Sequence, residues 1–284
     1  MRLSSRRGLV ATVGPGLAYL LAFFVAPLVV IVGFSFARAD PGGGVRAAIT
    51  MGNYIRALDP LNLMVLARSA GLALLTTLAS LVLAYPVAWA VRQMPRNRRI
   101  FALSLLVIPS WMNLLVKNYA WIVILRRQGV LNTLLEWLGL IDGPLPLLFN
   151  DGAVLVGLVH TYLPFMVLPL YAALDRMDWT LVEAARDLGA GGWQVFRRIV
   201  MPQTAAGAVV GSILVFIPTL GAFVTPDLLG GPTSLMVGTL IENQVLMVRD
   251  WPFASALAVW LMVLVAGALL LYRRVTPAGE ERLS

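Results

Sequence analysis

Residues 175–203 decide the fold, and they read DRMDWTLVEAARDLGAGGWQVFRRIVMPQ. This polar stretch lies between two long uncharged runs, and it is patterned rather than flexible. Thr180 and Glu183 have the spacing of a capping box, in which the hydroxyl and the carboxylate satisfy free N–H groups at a helix start. Gly189 stands where a helix that ends in left-handed backbone requires glycine. The pattern therefore predicts a short helix over residues 181–188.

A second helix is predicted after a glycine turn. Trp193 and Phe196 recur at helical spacing, and Pro202 is expected to kink or end this helix. Ala184 and Ala185 leave the first helix with a small face that can enter a groove on a partner. The stretch thus resembles a rigid helix–turn–helix held at a membrane surface by its aromatic residues. An interfacial helix that only closes the loop is the alternative that spacing alone leaves open.

The composition around this stretch is that of a polytopic membrane protein. Of the 284 residues, 59% are hydrophobic and 13% are charged, whereas soluble domains have about 25% charged residues. The chain has no cysteine and one histidine. This excludes disulfides, thiol catalysis and a metal site built from several histidines, so we expect neither catalytic residues nor a metal site.

Uncharged runs long enough to cross a bilayer, about 20 residues each, predict six transmembrane helices. The predicted fold class is an all-α polytopic membrane protein with a single transmembrane domain over residues 1–284. The first span is expected to be retained, because its apolar stretch is longer than the core of a signal peptide. The predicted spans cover about residues 14–36, 69–91, 100–123, 152–174, 203–226 and 252–272.

The placement of the basic residues sets the expected orientation, because inner loops are enriched in them. With the N-terminus inside, fourteen of the 22 basic residues fall on inner segments and eight on outer ones. Both termini and the loop at 175–202 are therefore expected to be cytoplasmic. The net charge of +8 reflects this topology in a lipid bilayer, and no nucleic-acid partner is expected.

The loop resembles the EAA loop of permease subunits of ATP-binding-cassette (ABC) importers, and we call residues 175–202 the EAA loop. The spacing EAA-x3-G-x9-I-x2-P is filled by Glu183, Ala184, Ala185, Gly189, Ile199 and Pro202. Further stretches resemble the spermidine/putrescine permease branch of that family. They are WMNLLVKNYAWIVILRRQGVLN at 111–132, LGAFVTPDLLGGP at 220–232 and RDWPFASALA at 249–258.

The resemblance implies a type I ABC importer permease fold with six helices, in which the EAA loop enters a cleft of a cytosolic ATPase. It implies three partners in a bacterial cytoplasmic (inner) membrane: an ABC ATPase dimer, a second homologous permease subunit and a periplasmic or extracellular solute-binding protein. The chain has no GxxxxGK[ST] loop, so it is expected to bind no cofactor, and ATP and Mg²⁺ belong to the ATPase. The implied function is therefore transport rather than catalysis: half of the pathway for a small cationic solute, a polyamine.

Polar and aromatic residues of the later spans are the candidates for the cargo pathway, because such residues at membrane depth are often functional. Carboxylates and aromatic faces replace water around ammonium groups. Asp151 is a further carboxylate of this kind. The alternative to a role in the pathway is that the acids are solvated loop residues and that the other residues only pack helices together. The candidates are Trp111, Asn113, Tyr162, Asp227 and Glu242.

Two other functions stay open on the residues alone. The same machinery could carry an amino-acid-like amine, an aminophosphonate or a metal chelate. An ion-coupled secondary transporter is less well supported, since it needs buried ionisable residues and the spans offer little beyond His160. An intramembrane protease would need a serine–histidine pair or an HExxH motif, and the sequence has no such motif.

Overall fold

The computed structural model describes residues 6–40, 42–46, 48–231 and 234–275. Two short strands, Arg38–Ala39 and Val45–Arg46, pair antiparallel, and most of the remaining described residues are helical. The helices are Arg6–Leu20, Leu21–Val25 (a π-helix), Ala26–Ser35, Gly52–Ala57, Pro60–Gln93, Arg96–Val107, Ile108–Trp111 (a 3-10 helix), Leu114–Leu125, Val130–Trp137, Asp151–Arg176, Thr180–Asp187, Gly192–Val195, Phe196–Val200 (a π-helix), Met201–Gln203, Ala205–Leu220, Val224–Gly230, Val237–Leu246 and Trp251–Val275.

The chain divides into two compact units, Met1–Met64 with Leu240–Ser284, and Val65–Thr239. In the first unit, Ala26–Ser35 packs along Trp251–Val275. Asn53 holds the end of the former helix by donating to the carbonyls of Ser35 and Ala37, at 3.0 and 2.8 Å.

The first unit has its own small core, and an ion pair lies beside it. Phe253 and Leu257 are buried together with Ala57. The Arg56 guanidinium lies 4.1 Å from the centre of the Phe253 ring and 2.8 Å from an Asp250 carboxylate oxygen. Apolar packing and one charge pair therefore join the segment before Pro60 to the last helix.

In the second unit, Asp151–Arg176 and Ala205–Leu220 form the most extensive helix pair. Two glycines allow their backbones to approach. A Cβ at Gly207 would lie 2.6 Å from the Pro169 carbonyl oxygen, and one at Gly211 would lie 2.7 Å from the Met166 sulfur. The GxxxG spacing of the fifth predicted span is thus used for helix packing.

Three helices of the described residues are long and apolar enough to cross a membrane, namely Val13–Ser35, Pro60–Gln93 and Asp151–Arg176. Two further pairs meet this test only as bent helices, and Trp251–Gly267 is a shorter apolar helix. The number of six spans and the cytoplasmic termini therefore remain predictions. Arg2 and Arg282, which support the orientation, lie outside the described residues.

The helix of the third predicted span, 100–123, is broken. The helices Arg96–Trp111 and Leu114–Trp137 meet at an angle of 97°. A 3-10 turn carries Pro109 in its first residues, and Asn113 starts a new helix by accepting a hydrogen bond from the N–H of Leu115 at 2.8 Å. Proline and a capping side chain end one helix and begin the next, although the apolar run continues through both.

The second and fifth predicted spans also differ from the observed helices. The helix of the second predicted span begins at Pro60 rather than near residue 69. Arg68 lies inside this helix and does not mark its start. The fifth, predicted over 203–226, begins at Ala205 after a 70° bend and ends at Leu220. Charge-free runs locate apolar segments, whereas local capping and proline decide the helix ends.

Candidate functional site

The helix Thr180–Asp187, which we call the EAA helix, is docked on the second unit by one face. Val182 is 2% exposed and packs in a core that includes Leu174 and Val195. Ala185 is half-buried against the same core. Burial of an aliphatic side chain stabilises by about 1.5–3 kcal/mol, so this contact holds the helix in place.

The start of the EAA helix differs from the predicted capping box. An Asp178 carboxylate oxygen accepts from the N–H of Thr180 at 3.0 Å and from its hydroxyl at 2.7 Å. The Glu183 side chain is exposed, and Thr180 is the first helical residue rather than the cap. An aspartate two residues ahead forms the tighter turn and accepts from the Thr180 N–H, the donor that the Glu183 carboxylate would use in a capping box. The hydrogen bonds from Thr180 lower the pKa of Asp178 below its usual value.

An indole anchors the chain just before the EAA helix. Trp179 donates from Nε1 to the Leu174 carbonyl at 3.1 Å, and its ring packs edge to face against Trp89, with centroids 5.2 Å apart. The Arg92 guanidinium lies 5.1 Å from the centre of the same ring. The helix Pro60–Gln93 therefore holds the EAA loop through one aromatic contact and one cation–π contact.

Asp175 adds an ionic contact that sequence reasoning missed. One of its carboxylate oxygens lies 3.1 Å from Nε of Arg92 and 3.2 Å from Nη1 of Arg99. Arg99 also donates to the Arg92 carbonyl at 2.9 Å. The signal was available, since an aspartate and two arginines all fall at predicted inner ends of spans. The positions of these arginines in the sequence indicate the orientation of the chain but not the ion pairs that they form.

The end of the EAA helix is as predicted. Gly189 has φ +84°, in the left-handed region, and no atom lies within 4 Å of the position that a Cβ would take. The N–H of Ala190 donates to the Ala185 carbonyl at 2.9 Å, which closes the turn. Glycine is thus required by the backbone conformation rather than by lack of space.

The outer face of the EAA helix carries an apolar stripe that no other described residue covers. Leu188 is 88% exposed and Leu181 47% exposed, and the exposed Ala184 lies between them on the same stripe. The two alanines therefore face different ways: Ala184 outward, and Ala185 toward the core. The predicted small face is divided, and the outward apolar stripe consists of two leucines around one alanine, with charged side chains exposed beside it.

The last two residues of the motif lie in the second helix of the loop. Ile199 is half-buried against the core that holds Val182. Pro202 lies in the short helix Met201–Gln203, immediately before the 70° bend at Thr204. The prediction that Pro202 kinks or ends this helix is confirmed, because the chain turns two residues later into Ala205–Leu220.

The five pathway candidates have different surroundings. Trp111 is 85% exposed beside the break in the third span, and the Asn113 side chain serves as a helix cap. Tyr162 is half-buried against two apolar cores. Asp227 is exposed in the helix Val224–Gly230, whereas Glu242 is half-buried in Val237–Leu246.

Asp151 is engaged by protein side chains. Its carboxylate accepts two bonds from Arg68, at 2.6 and 2.7 Å, and one from the Ser234 hydroxyl at 2.6 Å. Next to it, the N–H of Val237 donates to the hydroxyl of Ser69 at 2.8 Å. The carboxylate thus accepts three hydrogen bonds from two side chains, which favours a role in joining helices over a contact with cargo.

Comparison with known proteins gives the same family as the EAA motif. The family of binding-protein-dependent transport system inner membrane components matches residues 68–278. The spermidine/putrescine transport system permease protein PotB of Salmonella typhimurium is 42% identical over 266 residues, 94% of this chain and 93% of that protein. PotB of Escherichia coli is 43% identical over 258 residues, 91% and 94% of the two chains.

A solved structure shows the same fold. The crystal structure of the bacterial alginate ABC transporter, in complex with an alginate pentasaccharide-bound periplasmic protein, has a chain that is 19% identical and superposes with a TM-score of 0.74. The alignment covers 95% of this chain and 96% of that one. The match to the family covers 211 residues, and the similarity to PotB extends over nearly the whole length of this chain. This chain belongs to the family of binding-protein-dependent transport system inner membrane components, and it is a permease of the ABC importer class.

Proposed function

We propose that this chain is a permease subunit of an ATP-driven polyamine importer and that the EAA helix couples it to a separate ATPase. Two PotB proteins, named for spermidine/putrescine transport, are 42% and 43% identical to it over more than nine-tenths of its length. Membership in the ABC importer family argues against an ion-coupled secondary transporter. The similarity to these proteins supports the proposed cargo, and the geometry of the EAA helix supports the proposed coupling.

The observation that carries the coupling is the two-sided character of the EAA helix. One side is fixed by Val182 and by the Trp179 anchor, while Leu181 and Leu188 on the other side have large exposed apolar surfaces. A helix that packs firmly against its own chain on one side and exposes its other side to a partner can transmit the movement of that partner without bending. Closure of an ATPase dimer on the exposed side would move the whole packed unit between two states.

The remaining partners and the topology follow from the same assignment. The transporter would contain a second permease subunit, an ATPase pair that holds ATP and Mg²⁺, and a solute-binding protein outside. The EAA loop and both termini would face the cytoplasm, with six spans in the inner membrane. The excess of arginine on the predicted inner segments supports this orientation.

A cationic cargo requires acceptors in the pathway. Asp227 and Glu242 are the candidate carboxylates that remain after Asp151 is assigned to Arg68, and Trp111 offers an exposed aromatic face. An amine that meets a carboxylate or an aromatic ring along the pathway exchanges water for a charge contact or a cation–π contact. Another amine, an aminophosphonate or a metal chelate is the alternative cargo.

The absence of cysteine from the chain allows single-cysteine reporters of the coupling. In the assembled transporter, Ala184→Cys should cross-link to the ATPase and react only with thiol reagents applied from the cytoplasmic side. Trp137→Cys, at an 80% exposed residue on a predicted outer loop, is the matched control: it should not cross-link to the ATPase and should react only with reagents applied from outside. Labelling of the cysteine at 184 from outside would contradict the topology, and failure to cross-link would contradict the coupling.

Uptake by vesicles that contain the complete transporter tests the cargo. We expect ATP-dependent, vanadate-sensitive accumulation of spermidine or putrescine when the binding protein is present. Uptake of another solute, with polyamines neither transported nor competing, would keep the coupling and refute the polyamine assignment.

A further inference from the structure

A cavity of about 130 Å³ lies beside the break in the third predicted span. Aliphatic and proline side chains form much of its wall. Its polar lining comes from three segments: Ser110 in the 3-10 turn, Lys117 in the helix after the break, and His160 with Thr161 in Asp151–Arg176. The 97° bend brings the 3-10 turn and the following helix around this space.

Lys117 is the most unusual residue of the cavity. It is the only lysine of the chain, all other basic side chains being arginine. It is 8% exposed, and no carboxylate of the described residues forms an ion pair with it. No carboxylate of the described residues neutralises this ammonium, so it is available to a negative group that enters the cavity.

The neighbouring polar groups are hydrogen-bond donors as well. Nε1 of Trp121 donates to Nδ1 of His160 at 3.3 Å, so a neutral imidazole carries its proton on Nε2 and can donate from there. The Ser110 hydroxyl is buried and has no partner within the described residues. An ammonium, an imidazole N–H and a hydroxyl around one small space form a binding site for an anion.

We infer that this cavity binds one small anionic group of carboxylate size, with Lys117 as the counter-charge and Ser110 and His160 as donors. The volume of about 130 Å³ admits a single carboxylate group. The positive wall repels a cationic solute, so this site is distinct from the proposed polyamine contacts. Two sources offer the chemistry: a free monocarboxylate, or an acidic side chain of the second permease subunit.

The rate at which Lys117 is acylated measures whether a bound anion covers its amine. We would treat the complete transporter with an amine-acylating reagent and follow the Lys117 peptide by mass spectrometry, in acetate or in a bulky sulfonate at equal ionic strength. Arg126→Lys provides the reference amine, because Arg126 is exposed at the end of the same helix. If the source is a free anion, acetate slows acylation of Lys117 about tenfold and leaves the introduced lysine unaffected.

The second source has its own signature. If a partner carboxylate occupies the cavity, Lys117 reacts slowly in both buffers, and a zero-length carbodiimide joins it to an acidic residue of the second permease. If acetate protects, Ser110→Ala should raise the half-protecting acetate concentration about tenfold, as expected for a lost hydrogen bond to a charged group.

Two outcomes would overturn the inference. One is acylation of Lys117 as fast as that of the introduced lysine in both buffers. The other is slow acylation in both buffers with no acidic residue joined by the carbodiimide, which would mean a shielded amine without an anion. Neither outcome affects the assignment of the chain as a polyamine permease.

Discussion

The indole rings of Trp89 and Trp179 meet edge to face, with centroids 5.2 Å apart and planes inclined at 65°. Trp89 belongs to the helix Pro60–Gln93, and Trp179 immediately precedes the EAA helix. The pair fixes the angle between a membrane helix and the segment proposed to receive the ATPase. Such aromatic pairs contribute about 0.5–1.5 kcal/mol beyond the area they bury.

Removal of this anchor should uncouple the loop from the bundle. Trp179→Ala loses the contact with Trp89 and the hydrogen bond to the Leu174 carbonyl, which we expect to weaken docking of the EAA helix by about 2–3 kcal/mol. Hydrogen exchange over 180–188 should accelerate, and ATP-driven uptake should fall. Trp137→Ala, at a tryptophan that is 80% exposed, should change neither. Full uptake by the Trp179 variant would show that the anchor is dispensable.

Substitution of Gly189 should act through the backbone. A side chain at φ +84° costs about 1–2 kcal/mol for an ordinary residue, less for asparagine and more for a β-branched residue. Uptake should therefore decrease in the order Gly, Asn, Val. Gly189→Asp should abolish transport while the protein remains inserted, because it also adds a negative charge at an exposed turn beside the proposed docking face. Gly192→Ala is the control, since Gly192 is helical and its surroundings are open. Equal uptake by the valine and asparagine variants would refute a role for the turn.

The exposed leucine of the EAA helix should matter for assembly and not for folding. Leu188→Asp removes a side chain that is 88% exposed, so the stability of the permease should change by less than about 0.5 kcal/mol. Binding of the ATPase should drop, as measured by co-purification from detergent. Leu140→Asp, at a leucine that is 67% exposed in another loop, should leave binding unchanged. Normal co-purification of the Leu188 variant would contradict the assigned docking face.

The two remaining carboxylate candidates should affect apparent affinity. Asp227→Asn and Glu242→Gln each remove one negative charge while the shape of the side chain is kept. Loss of a charge-assisted bond of about 1.5–3 kcal/mol should raise the half-saturating polyamine concentration at least tenfold. Asp142→Asn, which neutralises a loop acid, is the control. An unchanged half-saturating concentration in both variants would remove these residues from the pathway.

Asp151 should behave in the opposite way. Asp151→Asn weakens the contacts with Arg68 and Ser234, and because the pair is partly exposed we expect a loss of about 1 kcal/mol in stability. Thermal unfolding of the purified transporter should occur at a lower temperature, and the half-saturating polyamine concentration should stay the same. A selective change in that concentration would return Asp151 to the cargo pathway.

The sequence was sufficient for the class of protein and for the motif. Charge-free runs located the apolar segments, because a bilayer demands about 20 apolar residues at each crossing. The anchors from Glu183 to Pro202 are local in sequence, so their spacing already predicted a helix, a left-handed turn at Gly189 and a bend near Pro202. These features depend on backbone conformations that neighbouring residues set.

Only the tertiary structure showed which groups meet across the chain. The contacts of Trp179 with Trp89, of Asp175 with Arg92 and of Asp151 with Arg68 join residues that are distant in sequence, and their spacing carries no trace of the pairing. The bend at residues 111–113 was also hidden, because hydropathy averages over a break. Sequence patterns record periodicity along one element, whereas a site depends on how separate elements pack, and that is decided by the complementarity of their surfaces.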